Sequence, residues 1–177
     1  MFKGIYKTEL VLLSSLLIAT NAHADLSTRT PFVATGKVAK VVDGDTAYVA
    51  LSDKYYAKFR AMADTKQKLR AFKDNNNTVK VRLGGINTPE SVHANKKMNT
   101  QAGKLASQWA KDNFYRHPVT LRCWDFGRNG RPICSIQTEH GNKDWGLEAI
   151  KAGHSDYITK YGKHPFLHSK YRVADLL

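Results

Sequence analysis

Cysteine, proline and acid are all scarce in this chain, and each scarcity excludes something. Two cysteines in 177 residues are too few for a small fold stapled by several disulfides, and too few for an all-thiolate zinc site. Five prolines and twelve glycines do not make a collagen-like or proline-rich spacer. No internal repeat and no sustained heptad recurs, which sets aside solenoids and coiled coils. Beyond the N-terminus, no apolar run is long enough to cross a bilayer. The acid deficit says most about partners. Only 15 Asp and Glu stand against 28 Lys and Arg, a formal net charge of +13. Such an excess favours a polyanion, either nucleic acid or an anionic membrane surface.

What is present suffices for one domain with a modest core, since 42% of the residues are hydrophobic. The N-terminus reads as a leader. Lys3 and Lys7 supply a positive start, Leu10 to Ala19 a short apolar run, and Ala22-His23-Ala24 a small-residue cleavage site. The expected organisation is a signal peptide over 1–24, a lead-in over 25–34, the main domain over 35–160 and a tail over 161–177. Export would place the mature chain in the periplasm or outside the cell. There Cys123 and Cys134 could form a disulfide. They flank the turn-forming Gly127-Arg128-Asn129-Gly130, and a hairpin centred on that turn would set them face to face. The residues alone leave open whether they bridge or stay as two buried thiols.

Alternation of β-branched and polar residues predicts strands over 35–42, 46–51, 78–83, 119–124 and 133–137. Asp43-Gly44-Asp45 is a turn between the first two. Tyr55, Phe59, Met62, Leu69 and Phe72 recur at roughly helical spacing and predict an inserted helix over 52–74, ended by Asn75-Asn76-Asn77. A second helix should start at Asn99 or Thr100, with Ala102, Leu105, Ala106, Trp109, Ala110 and Phe114 as its apolar face. A third should run from Asn142 or Asp144 to Ala152 and stop at Gly153. Five short strands with a helix after the third fit a Greek-key OB barrel.

Phosphodiester hydrolysis requires the phosphate charge to be neutralised, a water to be activated and a five-coordinate transition state to be stabilised. Three segments offer the means. Asp43-Gly44-Asp45-Thr46 presents two carboxylates, hard oxygen ligands of the sort that hold calcium or magnesium. The segment from Arg82 to Glu90, Arg-Leu-Gly-Gly-Ile-Asn-Thr-Pro-Glu, puts a guanidinium at a strand end and a carboxylate just beyond a rigid proline. Gly127-Arg128-Asn129-Gly130-Arg131-Pro132 puts guanidinium groups, the side chains best shaped for bidentate phosphate contact, at a tight turn. Read singly, each is also an ordinary charged turn. Beyond the leader, the histidines His93, His117, His140, His154, His164 and His168 are scattered and read as solvated side chains, so zinc-type chemistry has little support.

In combination the segments are specific. Val42-Asp43-Gly44-Asp45-Thr46, Val81-Arg82-Leu83, Ile86-Asn87-Thr88-Pro89-Glu90, Asn129-Gly130-Arg131 and Leu147-Glu148-Ala149-Ile150-Lys151-Ala152-Gly153 follow in an order that resembles the thermonuclease (staphylococcal-nuclease-like) family. The resemblance covers about residues 35 to 160. It implies an α+β fold, a five-stranded OB-type β-barrel with helices. It also implies calcium-dependent endo- and exonucleolytic hydrolysis of DNA and RNA that leaves 3′-phosphate ends, by a monomer with no membrane attachment once the leader is gone. By the same resemblance Asp45, Asn87 and the Thr88 carbonyl would hold Ca2+, with Asp43 near the ion. Arg82 and Arg131 would be the catalytic arginines, and Glu90 would orient or deprotonate the attacking water. Departures stand out: Asn87 replaces an expected second aspartate, Asn129 an expected aromatic, and Tyr157 and Tyr161 take the place of the family's substrate-facing tyrosines. Two rivals predict different behaviour. A catalytically silent OB module would bind single-stranded nucleic acid without cutting it. A cationic membrane-surface protein would bind anionic lipid and leave nucleic acid intact.

Overall fold

The computed structural model describes residues 30–92, 95–139 and 143–177. The expected leader lies outside these residues, as do His93 and His140. In chain order the elements are β1 (Phe32–Asp43), β2 (Thr46–Leu51), α1 (Asp53–Arg60), α2 (Lys66–Leu69), β3 (Phe72–Lys73), β4 (Thr78–Leu83), α3 (Gln101–Phe114), β5 (Pro118–Phe126), β6 (Pro132–Thr138), α4 (Trp145–Lys151) and α5 (His168–Ala174). Strand β1 pairs antiparallel with β2 on one edge and with β5 on the other. Strand β2 continues to β4, and β5 to β6. A short parallel contact, Arg82 to Ile133 and Leu83 to Cys134, joins β4 to β6 and closes a five-stranded barrel. This is the OB-type architecture with added helices that the strand order predicts.

Alternation fixes which side chains enter the barrel. Along β4, Val79, Val81 and Leu83 are buried while Lys80 and Arg82 are only half-buried. Along β2, Ala47 and Val49 are fully inside and Tyr48 is not. Cys123 and Cys134 lie directly opposite each other across the β5–β6 pair, with Cα atoms 4.0 Å apart, and are bridged. Among the described residues no helix is long and apolar enough to cross a membrane.

Three expectations change. The strand expected from residue 35 begins at Phe32, whose ring stacks on Phe59 with centroids 4.1 Å apart. The inserted helix over 52–74 is not continuous. Helix α1 ends at Arg60, α2 is a single turn capped by the Thr65 hydroxyl, and Phe72-Lys73 pairs as a strand with β4. Phe72 follows the apolar spacing because it joins Tyr56 and Phe59 in an aromatic cluster, not because it shares their helix. The fold also does not stop at residue 160, since α5 packs on α4 and buries Tyr171 completely.

Helix α3 is present and capped by Thr100, whose hydroxyl accepts from the Gly103 amide at 3.0 Å. Its buried face is rotated from the expected one. Leu105 is 55% exposed, whereas Gly103 and Ser107 face inward. Gly103 is there because the Glu90 carbonyl lies against it. A Cβ at residue 103 would come within 2.2 Å of that oxygen, so only glycine permits the approach.

Candidate active site

The β1–β2 turn is the floor of the site. Gly44 and Asp45 form a two-residue loop, with Asp43 and Thr46 paired across its base. Three contacts hold it from outside. The Trp145 indole N–H, at the start of α4, donates to the Gly44 carbonyl at 2.9 Å. Ser91 and Ser107 each donate a hydroxyl to Asp43 Oδ1, at 2.8 and 2.9 Å. The Gly44 amide donates to the same oxygen at 2.9 Å. Asp43 is therefore a buried anchor that ties the turn to the loop after β4 and to α3, with its oxygens already engaged by protein donors. Its charge is also felt by Arg82.

Asp45 is the hub. Its Oδ2 accepts from the Thr88 amide at 3.0 Å and the Thr88 hydroxyl at 3.1 Å. Its Oδ1 accepts from the Thr46 hydroxyl at 2.9 Å and forms an ion pair with Arg82. Arg82 stands opposite Thr46 in the β2–β4 register, so this pair follows from the strand alignment. The second terminal nitrogen of Arg82 donates to the Asn87 side-chain carbonyl at 2.7 Å and the Ile86 carbonyl at 3.2 Å. Arg131, immediately before β6, reaches across to the Thr46 hydroxyl at 3.3 Å. Asp45, Arg82, Asn87, Thr88 and Arg131 thus form one connected constellation, with Thr46 as the link between the two arginines. Nothing in the local pattern distinguished Thr46 from an ordinary strand threonine.

Electrostatics bear on Arg82 from several sides. Burial, and then the nearby Arg131 guanidinium, press its pKa down to about 10, while Glu90, Asp43 and Tyr161 push in the opposite direction. It keeps its proton at neutral pH. Glu90 itself is exposed, and its backbone carbonyl accepts from the Thr100 amide at 2.9 Å. Its backbone is anchored there, and the charge of its side chain is felt by Arg82.

The C-terminal segment forms a third wall that the sequence pattern did not show. Ile158 N–H donates to the Gly85 carbonyl at 2.7 Å, and the Asn87 amide donates to the Ser155 hydroxyl at 3.0 Å. Tyr157, expected to face substrate, turns inward instead. Its hydroxyl accepts from the His164 amide at 2.9 Å, and its ring packs on Tyr171. Tyr161 stays 80% exposed on the rim. His164, expected in solvent, is only 2% exposed. Its Nδ1 accepts from the Phe166 and Leu167 amides, at 3.2 and 3.0 Å.

Between the 82–87 loop, the β5–β6 turn and the 158–164 segment lies a cleft of about 650 Å³ that exposes both arginines. Two guanidinium groups at one cleft floor, each aligned by a polar anchor, make a site for a phosphoryl group. Among the described residues no three His, Cys, Asp or Glu side chains converge as a metal cluster. The oxygens that do converge are those of Asp45 and Asn87, which meet at the Arg82 guanidinium. They are hard oxygen donors, the kind that suits calcium or magnesium and not zinc.

The family described as staphylococcal nuclease homologue matches residues 80–175, more than half of the chain. A domain of this family is a nuclease-like or nucleic-acid-binding one. Among curated proteins none matches the chain.

Proposed function

The chain belongs to the staphylococcal nuclease homologue family, and we propose that it is an exported nuclease that hydrolyses phosphodiester bonds of DNA or RNA with calcium. The observation that carries this reading is the placement of Arg82 and Arg131 over one cleft, joined through Asp45 and Thr46. A module that only bound nucleic acid would need cations along a surface. It would not need two half-buried guanidinium groups linked through Thr46 next to a carboxylate.

In this reading the scissile phosphate lies between Arg82 and Arg131, whose N–H groups donate to its non-bridging oxygens and strengthen as charge builds there. Glu90 accepts a proton from water as the water oxygen bonds to phosphorus. The bond from phosphorus to the 5′ oxygen breaks, and that oxygen takes a proton from solvent. The products are a 3′-phosphate and a 5′-hydroxyl. Asp45 and the carbonyls of Asn87 and Thr88 would hold the calcium, which when bound neutralises phosphate charge as a Lewis acid. The basic excess of the chain draws the polyanion in. Export rests on the leader-like N-terminus, and the Cys123–Cys134 bridge suits the oxidising compartment it would lead to.

The test is a digest of single-stranded DNA, duplex DNA and RNA with calcium or with chelator. Calcium-dependent products that a polymerase extends only after phosphatase treatment are expected. Retarded but uncut nucleic acid would instead establish a silent binding module.

A further inference from the structure

Outside the cleft, on the outward face of β2 and β4, three side chains form one row. The strand registers place Lys40 opposite Tyr48 and Tyr48 opposite Lys80. Two residues along, the next outward pair of the same face is Thr46 and Arg82, so the row lies roughly 7 Å from the arginine site at ordinary strand rise. Lys80 holds its ammonium 5.8 Å from the Tyr48 ring centroid. Lys40 and Lys73 are exposed, and none of the ion pairs among the described residues involves Lys40, Lys73 or Lys80.

Charge is concentrated here, and among the described residues no ion pair offsets it. The Lys80 pKa is held below its ordinary value first by burial and then by Arg131, Lys40 and Lys73. Three cations therefore repel Lys80, which lies beside a half-buried tyrosine. A merely solvated lysine would swing clear of such neighbours. A polyanion threaded along the face would relieve the repulsion, and a ring among the cations offers a flat surface for a base.

We infer that this face is a second nucleic-acid subsite, on which Tyr48 stacks an unpaired base while Lys40 and Lys80 neutralise the flanking phosphates of a single strand leading to Arg82 and Arg131. It rests on the reading of nucleic acid as substrate. Its ligand is single-stranded DNA or RNA, because a base in a duplex cannot present its face to Tyr48.

The experiment measures binding in chelator, so that no cleavage occurs, by fluorescence anisotropy with a dinucleotide and with a labelled single strand of about twelve nucleotides, a length one OB barrel can cover. Wild type should gain affinity with length. Tyr48→Leu should lose about tenfold of that gain, the scale of one base–aromatic stack, and Tyr48→Phe should keep it. Lys40→Gln with Lys80→Gln should lower the slope of log affinity against log salt by roughly 1.4, at about 0.7 per phosphate contact on a single strand. Thermal melts show that each variant is folded, and the two exposed-face lysines give a test that does not depend on the tyrosine. If both Tyr48→Leu and the double lysine variant keep the wild-type length gain and salt slope, or if a duplex binds as tightly as the single strand, the subsite is refuted. If wild type binds neither length, the nuclease reading falls together with it. If wild type binds and cuts but the variants match it, only the subsite falls.

Discussion

Thr88 donates twice to a single oxygen of Asp45, from its amide at 3.0 Å and from its hydroxyl at 3.1 Å. The contact joins residues 43 positions apart in sequence and locks the loop after β4 onto the β1–β2 turn. It also explains why Gly44 stands between the two aspartates. A Cβ at residue 44 would lie 2.8 Å from both the hydroxyl oxygen and the methyl carbon of Thr88, and Thr88 is itself buried.

Gly44→Ala should accordingly push Thr88 off Asp45. Overpacking of this kind costs about 1–3 kcal/mol. The denaturant midpoint should fall while the slope of the transition stays as in wild type. An alanine variant as stable as wild type would mean that the turn yields freely and that Asp45 is not held by this contact.

Asn87 supplies a neutral oxygen where the family pattern expects a charged one, and that oxygen now accepts from Arg82 at 2.7 Å. Calcium affinity falls with ligand charge, so the wild-type dissociation constant should sit at roughly 10⁻⁴–10⁻³ M. Asn87→Asp should tighten it by roughly tenfold, read by calorimetry without substrate. An unmoved constant in a folded variant would remove residue 87 from the metal site.

His164 sets a pH limit on stability. Burial pushes its pKa from 6.5 down to about 4, with Asp144 pulling it up and Arg122 pushing it further down, so the folded chain holds it neutral. Among the described residues its Nε2 has no hydrogen-bond partner, and its ring packs against Tyr171 and Trp124. The unfolded chain takes up a proton between those two values and the folded chain does not. Stability from this group is therefore complete above about pH 6.5 and is lost as pH falls toward 4, by up to about 3 kcal/mol. Denaturation midpoints across that window should be flatter for His164→Gln than for wild type. Parallel curves would place the acid sensitivity elsewhere.

The barrel strands were legible because each carries its own alternation, as Val79, Val81 and Leu83 do against Lys80 and Arg82. Caps such as Thr100 and Asp144 were legible because the hydroxyl or carboxylate bonds within the next turn, at Gly103 and Leu147. What escaped depends on residues distant in sequence. Phe72 looks helical until Val79 pairs with it. Leu105 looks buried until Ser107 turns inward to Asp43, 64 positions away. Tyr157 looks like a substrate contact until the chain folds back on Ile86 in an isolated bridge. The candidate site shows the same division. Asp45, Arg82, Asn87, Thr88, Glu90 and Arg131 could be named from ordered motifs. Thr46, Ser91, Ser107 and Trp145, which position them, bond across elements and leave no local trace.

If Glu90 acts on the attacking water, its loss should show in the rate of the cleavage step itself. Glu90 is exposed, and its backbone carbonyl accepts from the Thr100 amide, so Glu90→Gln changes its chemistry and leaves that anchoring intact. The measurement is the single-turnover cleavage rate of single-stranded DNA at saturating calcium, for wild type and Glu90→Gln, with binding in chelator as the control. The rate should fall by roughly 10²–10⁴, the range of a lost general base, with melting temperature and affinity unchanged. A folded, DNA-binding Glu90→Gln protein that cuts at close to the wild-type rate would contradict the account.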